Sequence, residues 1–237
     1  MRDADRDKLK ANLAAVEERI AAACARAGRK RSEVTLVGVT KYVDVDVARA
    51  LLELGVRDLG ESRPQELWRK AAAIPEARWH LVGHLQRNKV ERTLPLARLI
   101  HSVDSIRLLD AVDADAKSRE VAANLLLEFN VSGDESKYGF LEADLEKLVA
   151  RFREPIYSQV RGLMTMGPLA ATPEENRAVF ASLRQMRDLL RNIRQRHHSM
   201  SHLSMGMTND FEIAIEEGAT LVRIGSALFE GLETRTT

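Results

Sequence analysis

Short apolar runs alternate with helical patterns along almost the whole chain. The runs, rich in Val, Ile and Leu, fall at 34–39, about 57–60, 79–83, 98–103, 124–131, 159–164, 201–205 and 220–224. Runs of this length are typical of strands buried in a parallel sheet. Eight strand–helix units in succession predict an α/β fold in which the sheet closes into a TIM-type (β/α)8 barrel.

Helix punctuation supports this division. Residues 6–27 are rich in Ala and end at Gly28, which predicts an extra N-terminal helix outside the repeat. Asp44 or Asp46 is positioned to cap a helix over 47–54 that ends at Gly55. The helices therefore alternate with the strands along the chain and do not form a separate helical domain.

A capping box gives the clearest helix start. In Thr172-Pro173-Glu174-Glu175, Thr is suited to the N-cap, Pro to the first helical position and Glu to the third. This predicts a long helix over 173–196. Asn209 or Asp210 caps a further helix, which Gly218 ends before the last strand.

No Pro-, Gly- or Ser-rich linker divides the chain, so we expect residues 1–237 to form a single barrel domain. The main alternative is an open, doubly wound sheet. That fold places its ligand at an interior switch point, whereas a barrel allows a site between the first and last strands.

The amino-acid composition restricts which binding partners and which cellular compartment we expect. Lys and Arg total 36 against 35 Asp and Glu, so no long-range field attracts nucleic acid or an anionic membrane, and neither is an expected partner. The only cysteine, Cys24, excludes an intrachain disulfide and fits a reducing compartment. With no signal peptide and no apolar stretch of about 20 residues, we expect a cytoplasmic protein.

The first and last strands carry the most informative chemistry. Val34 to Lys41 is an apolar run that ends on a lysine, and Thr220 to Ser226 ends on Arg223, Gly225 and Ser226. In a closed barrel these strands are neighbours, so an amine, a guanidinium and a group of backbone amides share one rim. These groups suit a ligand that carries both a carbonyl and a phosphate.

A lysine amine attacks a carbonyl only when it is neutral. We therefore expect the barrel mouth to desolvate Lys41 and a nearby cation, Arg223, to disfavour its charged form.

The loops after strands seven and eight are frequent phosphate sites in barrels. Ser204, Met205 and Gly206 end strand seven, and Gly225 and Ser226 end strand eight. Both serines carry hydroxyl donors, and glycine lets the backbone approach an anion. The alternative is that both glycines only form tight strand-to-helix turns.

Other polar residues at strand ends are less specific. Glu61 and Ser62 follow strand two, where they either face the mouth or begin a capped helix. His80 and His84 do not share a face at strand spacing, and the spacing predicts no metal site. The loop 130–139 is a functional rim loop or an ordinary surface turn.

Eight segments in order match a known family. They are VGVTK at 37–41, GES at 60–62, WHLVGHLQRNK at 79–89, IHSVDS at 100–105, ESKYG at 135–139, RGLM at 161–164, LSMGM at 203–207 and VRIGSALF at 222–229. In these segments the chain resembles the pyridoxal phosphate homeostasis proteins, small relatives of the alanine racemase barrel.

The resemblance implies that pyridoxal 5′-phosphate (PLP) forms an internal aldimine with Lys41 and that Arg223 contacts the pyridine nitrogen. It implies that Ser204, Gly206, Gly225 and Ser226 surround the phosphate, and Met205, between two of them, is also predicted to be a cofactor-binding residue. Ser62 stands where the family usually has Asn, which puts that side contact in question.

The implied role is intracellular PLP homeostasis, in which the cofactor is buffered or delivered, with apo PLP-dependent enzymes as candidate partners. We expect a monomer or a weak dimer.

The charge of Arg223 affects whether we expect catalysis. A protonated Arg223 opposite the ring nitrogen keeps that nitrogen unprotonated and weakens PLP as an electron sink, which favours a carrier over a catalyst. Two alternatives stay open: a PLP-dependent amino-acid racemase or decarboxylase, and an aldolase that forms a Schiff base with a sugar phosphate without a cofactor.

Overall fold

Eight parallel strands close into a barrel in chain order. The computed structural model describes residues 1–134, 137–168, 170–192 and 198–232. The strands are β1 Thr35–Val39, β2 Asp58–Glu61, β3 Arg78–Leu81, β4 Leu99–Val103, β5 Asn124–Glu128, β6 Gln159–Met164, β7 His202–Ser204 and β8 Leu221–Ile224. This confirms the predicted barrel and excludes the open doubly wound sheet.

Helices surround the barrel. They are α1 Asp3–Arg26, α2 Val45–Glu53, α3 Pro64–Ala73, α4 Val90–Thr93, α5 Ile106–Ser118, α6 Leu145–Phe152, α7 Pro173–Arg191, α8 Phe211–Glu216 and α9 Ser226–Phe229. Single 3-10 turns lie at Arg31–Glu33, Arg87–Lys89 and Glu142–Asp144. Within the described ranges, no helix is both long and apolar enough to cross a membrane.

The predicted N-terminal helix outside the repeat is confirmed as α1. Its apolar face, which includes Leu9, Val16 and Ile20, is buried, as is Cys24. It packs on α8 and α9. Asn12 Nδ2 donates to the Leu228 carbonyl over 3.1 Å, so α1 is bonded to the helix that follows β8.

Helix caps agree with the sequence in part. Thr172 forms the predicted capping box with Glu175, although α7 ends at Arg191, and 193–197 lie outside the described residues. Asp44 occupies the N-cap of α2, but its side chain makes no capping hydrogen bond. The Asp210 carboxylate accepts from the Met207 amide at 2.6 Å and therefore shapes the preceding loop instead of capping α8.

Two apolar layers hold the fold together. The larger one lies between the strands and the helices. The smaller one fills the barrel interior with Val37, Leu99, Leu126, Met164 and Leu221. Alternate residues of a strand share a face, so Arg223 lies on the interior face with Leu221.

We expect Thr172→Ala to lower the free energy of unfolding by about 1 kcal/mol, because an amide at the start of α7 loses its acceptor. Denaturant titration measures the change. Thr172→Ser keeps the hydroxyl and is the matched control. Equal losses in both variants would contradict a capping role.

Candidate functional site

Closure of the barrel brings the two predicted strand ends together. Val37 pairs with Arg223 and Gly38 with Ile224 in the parallel β1–β8 register. Lys41 follows β1 by two residues, and Gly225 follows β8 directly. The amine, the guanidinium and the glycine turn therefore belong to adjacent strands at the carboxyl-terminal rim.

Lys41 lies in a tight turn. The Val43 amide donates to the Thr40 carbonyl over 3.0 Å, which closes the turn around Lys41 and Tyr42. Lys41 is exposed, and its Nζ lies 4.7 Å from the centroid of the Tyr42 ring. The expected desolvation of Lys41 is wrong for the protein without ligand, because the residue lies beyond the strand end and projects from the rim.

A buried ion pair is hydrogen-bonded to the backbone of this turn. Lys70 Nζ lies 2.5 Å from Glu61 Oε1, and both side chains are at most 1% exposed. Lys70 also donates to the Thr40 and Val43 carbonyls, each over 2.7 Å. The Thr40 hydroxyl donates to Glu61 over 2.6 Å. The backbone on both sides of Lys41 is thus bonded to one buried ammonium group.

Sequence reasoning missed this pair. Glu61 was assigned to the mouth or to a helix start, and Lys70 received no role. One signal was present: Lys70 shares helical spacing with the apolar Leu67, Ala71 and Ile74, which marks the buried face of α3. A lysine on such a face requires an anionic or carbonyl partner.

Arg223 is the buried cation of the site. It is 4% exposed, its Nη1 donates to Ser204 Oγ over 2.6 Å, and its Nη2 donates to the Thr165 carbonyl over 2.9 Å. Burial lowers the pKa of Arg223 to about 10, whereas Glu128 and Asp210 oppose that shift. With a pKa about three units above neutral pH, the guanidinium stays charged by roughly a thousand to one.

Two histidines lie behind Ser204. His101 Nδ1 is 2.8 Å from Ser204 Oγ, and His101 Nε2 is 2.9 Å from His80 Nδ1. Burial, with the nearby His80 and Arg223, holds the pKa of His101 well below its usual value of 6.5. His101 is therefore neutral at physiological pH.

His80 and His84 have separate surroundings. His80 faces the barrel interior, whereas His84 Nδ1 lies 2.9 Å from Asp104 Oδ2 and its ring stacks on Tyr138. Among the residues that the structure describes, no group of three His, Cys, Asp or Glu side chains could hold a metal ion.

The loop after β7 requires glycine. Gly206 has φ +93°, and a Cβ there would lie 2.6 Å from the Ala214 Cβ and 2.8 Å from the Phe211 Cα. The Arg223 amide donates to the Gly206 carbonyl over 3.0 Å. Both the conformation and the contact with α8 exclude a side chain, so backbone is what this loop presents.

The loops after β7 and β8 contact each other. Ser226 Oγ donates to Thr208 Oγ1 over 3.0 Å, and the Ala227 amide donates to the same oxygen over 3.4 Å. Ser226 is exposed, and a Cβ on Gly225 would lie 3.0 Å from the Val39 carbonyl oxygen. The Thr208 hydroxyl is thus the partner of the Ser226 hydroxyl, and sequence reasoning did not select Thr208.

Ser204 and Met205, two of the predicted cofactor-binding residues, are buried. The hydroxyl of Ser204 lies between Arg223 and His101. Met205 is buried in the layer between strands and helices, and its amide donates to the Leu221 carbonyl over 3.2 Å. The Ser204 hydroxyl is therefore a partner of Arg223, and the Met205 side chain is part of the packing layer.

Ser62 lies half-buried after β2. A Cβ on Gly83, in the loop after β3, would lie 2.2 Å from the Ser62 carbonyl oxygen. The lack of a side chain at Gly83 therefore lets these two rim loops touch.

Glu128 is a second feature that sequence reasoning missed. It ends β5 and is 4% exposed. Burial, reinforced by Asp104 and opposed by Arg223, raises the pKa of Glu128 to about 7. The signal in the sequence was one carboxylate inside the apolar run 124–131.

The loop 130–139 is held at both ends of its described part. Asn130 Nδ2 donates to the Asp134 carbonyl over 2.8 Å, and Lys137 Nζ donates to the Gly167 carbonyl over 3.2 Å. Residues 135–136 lie outside the described residues. The loop is thereby attached to the connection after β6.

The fold and the site define a barrel of the alanine racemase type. The family model "Alanine racemase, N-terminal domain" matches residues 5–233. A curated relative from Aquifex aeolicus, named pyridoxal phosphate homeostasis protein, is 41% identical and covers 92% of this chain and 95% of its own. The chain belongs to the pyridoxal phosphate homeostasis protein family.

Solved structures agree. An unknown protein from Bifidobacterium adolescentis superposes with a TM-score of 0.89 at 35% identity, covering 97% of both chains. PipY of Synechococcus elongatus, solved with PLP bound, has a TM-score of 0.78 at 33% identity and covers 90% of this chain and 99% of its own. The family resemblance inferred from the sequence is confirmed.

We expect Lys70→Met to lower the free energy of unfolding by about 3 to 5 kcal/mol, because it leaves the Glu61 carboxylate buried without its cation. Adding Glu61→Gln removes that charge and recovers part of the loss. Denaturant titration of both variants tests this. A double variant less stable than Lys70→Met would contradict the pairing.

The raised pKa of Glu128 predicts that the free energy of unfolding depends on pH. Because its pKa is raised in the folded protein from 4.5 to about 7, its protonated form is favoured there, and the resulting stability is lost as pH rises through this range. Relative to Glu128→Gln, the wild type should lose about 2.5 kcal/mol of unfolding free energy between pH 5 and pH 8. Denaturant titrations at both pH values measure it. A difference independent of pH would contradict the assignment.

Proposed function

We propose that this protein binds pyridoxal 5′-phosphate at the β1–β8 rim and buffers or delivers it within the cell. The observation that carries the proposal is the parallel pairing of β1 with β8, which makes the strand leading to Lys41 the neighbour of the strand that carries the buried cation Arg223 and ends at Gly225. The relatives named for pyridoxal phosphate homeostasis and the PLP-bound PipY structure support it.

The donor set fits the three functional parts of the cofactor. Lys41 supplies an exposed primary amine for the aldehyde, and Arg223 supplies a charged guanidinium for the ring nitrogen. The loops of Gly206 and Gly225 carry the backbone groups proposed for the phosphate, and the hydroxyls of Thr208 and Ser226 join those two loops. Ser62 is available at the side of the ring from the adjoining rim loop.

When bound, the cofactor supplies an aldehyde carbon that condenses with a primary amine and releases water. The role of Lys41 is to present Nζ for that bond. The Glu61–Lys70 pair restricts the turn that carries Lys41, so the amine occupies a limited region of the rim. Exposure of Lys41 leaves the same bond open to an incoming amine, as delivery requires.

The proposal includes no efficient catalysis. Arg223 is charged at neutral pH and offers only N–H donors, so it bonds to a ring nitrogen through that atom's lone pair and leaves no proton there. An unprotonated ring nitrogen accepts electron density poorly, which disfavours carbanion chemistry. The residues held toward the ring favour binding over turnover.

Three further expectations belong to the proposal. We infer that residues 1–237 act as one domain, that the protein works in the cytoplasm as a monomer or weak dimer, and that apo PLP-dependent enzymes are recipients. Delivery to such enzymes is supported by the exposure of Lys41.

We expect protein reconstituted with PLP to absorb in the violet, and Lys41→Ala to abolish the band. Lys89→Ala, which removes another lysine of a rim loop, is the matched control and should keep it. Borohydride reduction followed by peptide mass spectrometry should place the pyridoxyl group on Lys41.

An adduct on Lys89 or Lys137 would overturn the site. Trapping of a sugar-derived carbon skeleton in place of a pyridoxyl group would select the aldolase alternative. Steady turnover of any member of an amino-acid panel above the rate with free PLP would contradict the non-catalytic part of the proposal.

A further inference from the structure

A chain of buried polar groups crosses the barrel interior behind Arg223. It contains Asp58 at the start of β2, His80 in β3, His101 in β4 and Ser204 at the end of β7. The two histidines and Ser204 are at most 3% exposed. Since β4 and β7 are not neighbours in the sheet, the contact between His101 and Ser204 spans the inside of the barrel.

The separations are all of hydrogen-bond length. Asp58 Oδ1 lies 3.0 Å from His80 Nε2, and His80 Nδ1 lies 2.9 Å from His101 Nε2. His101 Nδ1 lies 2.8 Å from Ser204 Oγ, which accepts from Arg223 Nη1 at 2.6 Å.

We propose that Asp58, His80, His101 and Ser204 form a single directional hydrogen-bond relay that positions Arg223. The four residues are positioning residues: they set the order of the protons, and only the guanidinium at the end of the relay faces the ligand. The contact with a ring nitrogen rests on the proposed function, whereas the proton order does not.

The direction follows from the number of hydrogens available. A carboxylate only accepts, so His80 Nε2 carries its proton and, in the neutral ring, His80 Nδ1 accepts. His101 must then donate from Nε2 and accept at Nδ1. Ser204 has one hydroxyl hydrogen, which goes to His101, and its lone pairs are left for Arg223. Each link therefore has one donor hydrogen and one acceptor, and no hydrogen is left over or missing.

Each link has only one hydrogen to give, so the links are not independent. If His80 changes tautomer, His101 Nε2 faces a donor and must accept, and its proton moves to Nδ1, toward Ser204. The serine oxygen would then accept from both His101 and Arg223, and its own hydrogen would need a new acceptor. The carboxylate of Asp58 thus sets the direction of the Ser204 hydroxyl hydrogen, next to Arg223 on the far side of the barrel.

Because these groups are buried, any other arrangement of the protons along the relay costs free energy. A mismatched link would place two donors or two acceptors face to face away from water, at a cost comparable to an unsatisfied buried polar group. The positive Arg223 and the negative Asp58 lie at opposite ends of the relay, with His80, His101 and Ser204 between them. The relay therefore favours one orientation of the guanidinium, with Nη1 toward Ser204 and Nη2 toward the Thr165 carbonyl.

The test is histidine-selective ¹⁵N NMR of the protein without PLP, which reads the tautomer of each ring. In the wild type, His80 and His101 should both be neutral with the proton on Nε2. In Asp58→Ala the Nδ1–H form should rise from undetectable to a measurable fraction, and that fraction should be equal at the two rings although His101 does not touch Asp58.

Asp58→Asn keeps the side-chain volume and lets the amide donate or accept, so it should give the same paired change and replaces the alanine variant if that one does not fold. Asp110→Asn, which removes a surface carboxylate bonded to Arg151, is the matched control and should leave both rings unchanged. A change confined to His80, no change at either ring in Asp58→Ala, or a wild-type proton on Nδ1 would overturn the relay. Because PLP is absent, failure of the proposed function leaves this result unaffected.

Discussion

The pairing of β1 with β8 is the constraint on which the site depends. Arg223 and Lys41 are 182 positions apart, and the register that pairs Val37 with Arg223 brings their strands into contact. In an open doubly wound sheet the first strand lies inside the sheet next to other strands, so the same two residues would not be on neighbouring strands. Closure also removes both sheet edges, so the bonds that stabilise the barrel are those that assemble the rim.

Two buried cations beneath the rim, Lys70 and Arg223, are bonded to the groups around them. Lys70 is bonded to one carboxylate and two backbone carbonyls, and Arg223 to a hydroxyl and a carbonyl. Because an unpaired buried charge is strongly unfavourable, each cation restricts the groups around it. Lys70 is bonded to the turn that carries the exposed Lys41, whereas Arg223 is bonded to Ser204 and Thr165 inside the barrel. The Lys41 amine is exposed, and both buried cations have hydrogen-bond partners.

This division of roles is suited to holding a ligand reversibly. Arg223 is a buried cation, the glycine loops follow β7 and β8, and Lys41 is an exposed primary amine at the rim. Glu128 is buried close enough to Arg223 for each to shift the other's pKa.

The sequence by itself determined the eight strands, the helix α1 outside the repeat and the Thr172 capping box, because apolar periodicity and capping act between residues close in the chain. It also indicated Lys41, Arg223 and the two glycine loops, because barrel topology fixes which strand ends meet. Only the tertiary structure decided the partners of Lys70, the burial of Ser204 and Met205, and the contact of His101 with Ser204 across 103 positions. Hydrogen bonds inside a barrel depend on which side chains face inward at the same depth, and no local pattern in one chain encodes that depth.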